Sequence, residues 1–536
     1  MERWTPRERH GFVFGTAARW GALVGASEGA WVLVGPHAPV ALGAKLTLGL
    51  VSVALSAGVA AVLSVLAGPF GDDTVRGVSR QVALALAALT ALLVWERFGW
   101  ALADASRGAA LAWALAPTVV AGGVYGLLAR RAEAMRAAGA RRGGLASAGI
   151  AVVILAVAAL ASPPTHALGP SALLITTEGL RAEDVGKGVY PHVDRLAKEA
   201  TTFTQAVTPS TSTAVAHAAL WTDRHPLTLP MVRDDQPLPA DAATLAEAAR
   251  PTATTAAFVS TTALSDVGLD RGFDVFDDSF TPLPGLDRLA LVRWARGVAW
   301  LRRPPTDTAE AAAAWLVAHR DGRFLLWVHL ALPPSSVRDG RDQASLDAAI
   351  GEVLDALGPA ADRTFVAVVG VRGARRTPGA TPWAGLADDV VRVPMIVRAP
   401  NATPSKVDAQ ASILRVTTEL AASGGWTLPG DAGAAKPTDA ASLATTVLGD
   451  DGVGHARLAL RQLDLKLIVD PDSKDASYYD LTLDPGETTD RSGTAPEFVL
   501  KARMSLAPEL AALTRAREVA SLGSWRARRL RALAEE

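Results

Sequence analysis

Long apolar runs dominate the first 162 residues, and they constrain the chain more than any other feature. They fall at 11–35, 40–67, 78–100, 109–129 and 145–161. A helix that crosses a bilayer needs about 20 apolar residues at about 1.5 Å of rise each. Four runs reach that length, and the fifth, LASAGIAVVILAVAALA, carries no charge. A stretch such as LTLGLVSVALSAGVAAVLSVLAG has no polar face, which argues against the helices of a soluble core. A cleaved signal peptide would not be followed by four further apolar runs. The sequence therefore predicts an α-helical membrane domain of five transmembrane helices over 1–162.

Arginine placement orients these helices. Arg3, Arg7, Arg9, Arg76, Arg80, Arg130, Arg131, Arg136, Arg141 and Arg142 fall on one side, and Arg97 and Arg107 on the other. The positive-inside rule puts the first set, and the N-terminus, in the cytoplasm. Five crossings then place the C-terminal domain outside a bacterial-type cell membrane, with the lipid bilayer as a partner. Arg19, Glu28, Lys45 and Glu96 lie within or at the ends of the runs, where charges mark a polar path or a headgroup site. Lys45 and Glu96 also read as snorkelling near helix ends. Glu28 has no long stem to do so. The Pro- and Gly-rich stretch 163–170 reads as a linker.

Charge and cysteine usage exclude several classes. Lys+Arg is 53 against Asp+Glu 54, and mean hydropathy is +0.21. The balance excludes a polybasic nucleic-acid binder, so no nucleic-acid partner is expected. The chain has no cysteine, which excludes a disulfide framework, a zinc–thiolate cluster and a cysteine nucleophile.

From residue 171 the pattern changes to strand-like runs alternating with helical ones. SALLITT (171–177), TAAFVS (255–260), FLLWVHL (324–330), TFVAVVG (364–370) and VPMIVRA (393–399) read as strands. PHVDRLAKEA (191–200), QASLDAAIGEVLDALG (343–358) and ASILRVTTELAAS (411–423) read as helices. This alternation predicts a mostly parallel sheet flanked by helices over 171–492. LALRQLDLKLIVD and ASYYDLT read as a late antiparallel pair, and 493–536 as a helical tail. In such folds chemistry gathers at the C-terminal ends of the strands. Glu178 follows the first strand, His329 ends another, and Val371 and Arg372 follow a third. A metallohydrolase needs several Asp, Glu or His at these points, and only Glu178 and His329 qualify.

Several blocks here resemble the sulfatase branch of the alkaline phosphatase superfamily. They are ALLITTEGLRAEDVG, PHVDRLAKEATTFTQAVTPS, the segment containing GLDRGFDVFDD, FLLWVHLALPP, VPMIVRAP and DLKLIVDPDSKDASYYDLTLDPGETTD. The resemblance implies one or two divalent cations, an acid after the first strand, a hydroxyl or modified-Cys nucleophile, and an Asp-His pair after a later strand. Carried over, Glu178 stands at the first acid and metal ligand, Thr213 at the nucleophile, and His217 remains in its motif. The Asp-His-Gly motif reads Val371-Arg372-Gly373, and the Asp-Pro-His motif reads Leu332-Pro333-Pro334. Threonine cannot supply the aldehyde of a formylglycine sulfatase. It is the expected nucleophile of membrane phosphoethanolamine and phosphoglycerol transferases, which resemble this chain in placing five helices before an outer domain.

Two functions stay open at this point. One is a catalytically degenerate, membrane-anchored binding or scaffold protein of the cell envelope, with Arg372 filling the vacancy of the metal and binding an anionic lipid, a glycan or a protein ligand. The other is an active hydrolase or phosphoryl or sulfuryl transferase acting on an envelope lipid or glycan. It would use Thr213 with a calcium, magnesium, manganese or zinc ion, and substitute ligands from Asp184, His192, Asp223 and His225. Each site residue also has a structural reading: Thr213 as a helix cap, Glu178 in an ion pair with Arg181 or Arg372, His217 as a buried hydrogen-bonded histidine, and His329 as a structural strand-end residue.

Overall fold

The structure, a computed structural model, describes most of residues 5–89, parts of 151–156 and most of 166–522. The longest omissions in the last range are 293–302, 333–339, 375–384 and 429–444. The chain divides into two compact units: Met1–Ser162 with Ser279–Ala299 and Ser524–Glu536, and Pro163–Asp278 with Trp300–Gly523.

In the helical unit, Thr5 and Glu8 form a capping box that starts α1 (Pro6–Val34), with Pro6 in its first turn. α2 spans Leu42–Leu66 and α3 Gly77–Leu89. Gly21, Gly25 and Gly29 recur every four residues on α1 and face Ala60, Ser56 and Ser52 of α2. A β-carbon at Gly21 would lie 2.6 Å from both the Ala60 Cβ and the Ser56 carbonyl oxygen. Only glycine permits this approach, and it lets the Ser52 hydroxyl donate to the Gly25 carbonyl at 2.7 Å. The contacts run in opposite order along the two helices, so α1 and α2 are antiparallel. Among the described residues, Ala44–Leu66 is long and apolar enough to cross a membrane. The first two predicted runs lie in α1 and α2, and the third begins in α3. Its remainder, the fourth run and most of the fifth lie outside the described residues.

The second unit is built on an eight-stranded sheet in the order β4-β3-β5-β1-β6-β7-β2-β8. The strands are β1 Ser171–Glu178, β2 Thr201–Val207, β3 Thr254–Val259, β4 Val275–Asp277, β5 Phe324–Ala331, β6 Thr364–Arg372, β7 Met395–Arg398 and β8 Ser405–Ser412. β7 runs antiparallel to β6 and β2, and the remaining pairs are parallel. The central strands are buried along their length, which is why they read as unbroken apolar runs. Their side chains alternate between two cores. Ala172, Leu174, Leu325, Trp327, Phe365 and Ala367 belong to one, and Leu173, Ile175, Leu326, Val328, Val366 and Val368 to the other. Helices α4 (Pro191–Ala197), α6 (Pro305–His319) and α7 (Gly340–Ala356) flank the sheet with α5 (Thr213–Thr222) and α8 (Arg415–Gly424).

Two expectations are corrected. The helix expected over 411–423 begins at Arg415, because Gln410–Ser412 pair with Gln205–Val207 as the end of β8. The late antiparallel pair is a four-stranded sheet of β9 (Thr445–Asp450), β10 (Ala456–Gln462), β11 (Leu465–Val469) and β12 (Ala476–Asp480). Buried Arg461 of β10 binds both oxygens of Asp388 and also Gln410 and Gln205. Helices α9 (Pro496–Ser505) and α10 (Ala507–Leu522) follow, and 523–536 lie outside the described residues.

Candidate functional site

The parallel register of β5, β1 and β6 brings their C-terminal ends side by side. Glu178 lies opposite Ala331 on one flank and Arg372 on the other. A register shift between Thr177 and Glu178 passes over Val371, which is fully buried, and makes Arg372 the partner of Glu178. Above these ends sits the start of α5. Ser212 is its cap and Thr213 its first residue, so the cap role considered for Thr213 belongs to its neighbour. His217 lies one helical turn further on the same face.

Glu178 is completely buried, with both carboxylate oxygens engaged. The Thr213 hydroxyl donates to its Oε1 at 2.5 Å, and an Arg372 terminal nitrogen donates to its Oε2 at 3.2 Å. Arg372 also donates to the Thr211 carbonyl at 2.8 Å and to the Thr213 hydroxyl oxygen at 3.3 Å. Glu178 thus pairs with Arg372. Arg181 turns instead to Asp184 and the Ala374 carbonyl.

A second layer lies beneath. Thr176, Trp327 and His329 share one face of the sheet, because side chains repeat every second residue. The Thr176 hydroxyl meets His217 Nε2 at 3.0 Å, His329 Nδ1 at 3.0 Å and Trp327 Nε1 at 2.9 Å. Proton counting assigns these contacts. His217 Nδ1 faces the Thr213 carbonyl at 2.7 Å, and a carbonyl only accepts, so Nδ1 carries the hydrogen. Burial holds the His217 ring down at about 4, against the pull of the Thr213 carbonyl and Glu178, so it is neutral and Nε2 accepts from Thr176. The Thr176 oxygen then accepts from Trp327 and from His329 Nδ1–H. His329 Nε2 faces Glu178 Oε1 at 3.7 Å.

Asp234 completes the surroundings and was not singled out from the sequence. It is half-buried, accepting from the Ser212 hydroxyl and the Ala214 amide, both at 2.6 Å, at the start of α5. Burial pushes its carboxyl upward, opposed by these bonds and by Arg372. Nothing in the local sequence RDDQ distinguishes it from a solvated turn. Thr176 and Trp327 were equally hidden inside apolar strands.

The substitute ligands considered from the sequence do not gather here. His192 pairs with Asp347 at 2.8 Å, Asp223 ends α5 in a left-handed conformation beside Thr418, Asp184 lies by Arg181, and His225 closes a turn to Thr228 and Leu229. Leu332 is buried, while Pro333 and Pro334 lie outside the described residues. A divalent cation does not fit this arrangement. Its expected carboxylate, Glu178, is taken by a hydroxyl and a guanidinium, and the guanidinium's own charge repels a cation. Among the described residues no three His, Asp or Glu side chains converge as a metal-binding group.

The sulfatase family model matches residues 170–333. No curated protein matches the chain. Among solved structures, a putative sulfatase from Bacteroides thetaiotaomicron is 16% identical, with 66% of this chain and 94% of that chain covered and a TM-score of 0.52. A 2-O GAG sulfatase is also 16% identical, with 67% and 95% covered and a TM-score of 0.52. These likenesses carry the fold, and the matched segment holds Glu178, Thr213, His217 and His329. The α/β unit accordingly has a sulfatase-like fold, and residues 170–333 within it match the sulfatase family model.

Proposed function

We propose that this protein is a catalytically degenerate sulfatase-family member, anchored in the cell membrane and acting there as a binding or scaffold protein. One observation carries the reading: the Arg372 guanidinium sits against Glu178 and Thr213, so a built-in cation neutralises the acid that a metal would need. Arg372 cannot leave as a metal ion can, and it stabilises the site without activating Thr213. The membrane half of the proposal, five spans with a cytoplasmic N-terminus and an outer α/β domain, rests on the apolar runs and on the arginine asymmetry. The glycine-mediated packing of α1 on α2 supports it. For Arg372 to bind an anionic lipid, glycan or protein group, it would have to exchange Glu178 for that anion. A separate cavity of about 860 Å³ offers a further ligand surface, with Phe203, Met395 and Ile396 beside Lys198, Lys406 and Arg392.

The test is the metal content of the purified full chain after incubation with calcium, magnesium, manganese and zinc. The expected result is no stoichiometric metal, and one ion bound per chain overturns the reading. A second function has one observation in its favour. The short contact from the Thr213 hydroxyl to Glu178 is what a metal-free phosphoryl or sulfuryl transferase would use, with Glu178 as the base. Turnover of a phosphate or sulfate ester that Thr213→Ala abolishes would establish it.

A further inference from the structure

At one edge of the eight-stranded sheet, β7, β2 and β8 contribute to the cavity of about 860 Å³, a size that suits a small organic ligand. Register sets Ile396 opposite Thr202, and Thr202 opposite Lys406. Cross-strand partners share a face, so one row passes from a fully buried apolar side chain through a hydroxyl to an amine at the exposed edge. The acids that line this groove are already committed. Glu183 takes Arg392 at 3.2 Å, and Asp194 accepts the Gly186 and Gly188 amides at 2.6 and 2.7 Å. Around the rim, Asp408 takes Lys406 at 3.1 Å, and Glu199 takes Arg398 at 3.4 Å. The exposed Lys198 ammonium is left with no acid beside it among the described residues. The hydroxyls on either side of Thr202 are spent as well: Thr201 pairs with Ser405 and Thr204 donates to Asp408, each at 2.9 Å. The groove therefore presents one uncompensated positive charge and the Thr202 hydroxyl beside an apolar floor.

We propose that this groove is a second ligand site, separate from the Glu178–Arg372 cluster, for an amphiphile with an anionic head, such as an alkyl phosphate. Lys198 and Thr202 hold the head, with the lysine acting as a point charge on its oxygens. The tail lies along Ile396 and Pro394. An uncharged amphiphile leaves Lys198 unanswered, and a bare anion leaves the apolar floor in water, so only a ligand with both parts uses the whole groove. The site rests on the reading of this chain as a binding protein.

The test titrates the full chain, held in nanodiscs of neutral lipid, with hexyl phosphate, using calorimetry against empty nanodiscs. Saturable binding is expected, with hexanol and inorganic phosphate each binding at least about tenfold more weakly. Lys198→Gln should weaken hexyl phosphate about tenfold, the loss of one charge-assisted hydrogen bond. Lys198 is exposed, so the variant should melt as the parent does. Absence of saturable binding overturns the proposal, as does unchanged affinity in Lys198→Gln or equal binding of inorganic phosphate. Repeating the titration with phosphatidylglycerol in the nanodiscs separates two sources of the head. Competition assigns it to a bilayer lipid, and unchanged affinity to a free amphiphile; either supports the site. Stoichiometric metal with hexyl phosphate binding intact overturns only the degenerate reading, whereas no hexyl phosphate binding and no metal overturns only this site.

Discussion

Removing Arg372 isolates a buried charge, and the cost can be worked from the geometry. At 3.2 Å, attraction between unit charges is about 5 kcal/mol at an effective dielectric of about 20. The variant Arg372→Ala can escape part of this by protonating Glu178. At pH 7 that escape costs about 3.7 kcal/mol for a carboxylate that ordinarily titrates near about 4.3. The expected destabilisation at pH 7 is therefore about 3–4 kcal/mol, consistent with breaking buried ion pairs generally. For a domain of this size it lowers the melting temperature by roughly 4–6 °C. The pH dependence follows with a definite sign. In the variant, the folded state holds a proton on Glu178 that the unfolded state gives up, so the variant gains stability relative to the parent as pH falls from 7 toward 5. Glu178→Gln combined with Arg372→Leu removes both charges and should recover most of the loss. Thermal melts of the full chain in detergent at pH 5, 6 and 7 measure all three proteins. A cost under about 1 kcal/mol at pH 7, unchanged with pH, would refute the claim that Arg372 serves as the counter-ion of Glu178.

Other outcomes follow from the same structure. Burial holds His217 at about 4 against an ordinary value near about 6.5, so the unfolded state takes up its proton first as pH falls. Stability should decline by about 3 kcal/mol between those values, and denaturant titrations of His217→Gln should lack that part of the slope. Val371→Asp with Arg372→His supplies two ligands and removes the cation, so calorimetry should detect saturable binding of manganese or zinc that the parent lacks. If the parent binds equally well, Arg372 does not block the site. At Gly25 a β-carbon meets the Ser52 backbone and Ser56 Cβ, whereas at Gly11 nothing lies within 4 Å. Gly25→Leu should cost the helical unit about 1–3 kcal/mol in detergent melts, and Gly11→Leu almost nothing. Equal effects would contradict the close packing of α1 on α2.

Much of the α/β fold was legible because its central strands are buried on both faces, so SALLITT, FLLWVHL and TFVAVVG stand out as short apolar runs between helical stretches. The start of α8 was not. Gln410–Ser412 become strand only because β2 lies alongside to receive their hydrogen bonds. The four-stranded sheet was legible only as a pair, since β9 and β10 find each other across a segment with little apolar pattern. Glu178, Thr213, His217, His329 and Arg372 were each visible as residues, and Glu178 had two possible partners in Arg181 and Arg372.

Choosing between those partners needed the tertiary structure. Arg372 is 194 residues from Glu178 in sequence, and their meeting depends on the parallel register of β1 and β6 and on the one-residue shift beside Thr177. Thr176 gathers His217, Trp327 and His329 for the same reason: strand alternation turns their side chains to one face, but strand order decides that the faces adjoin. The sequence by itself determined the apolar N-terminal part and the α/β class of the C-terminal part, because composition and short-range periodicity encode these directly. Only the tertiary structure decided that Arg372 sits against Glu178 and that Thr176 meets His217, Trp327 and His329, because these are contacts between segments whose separation no local pattern records.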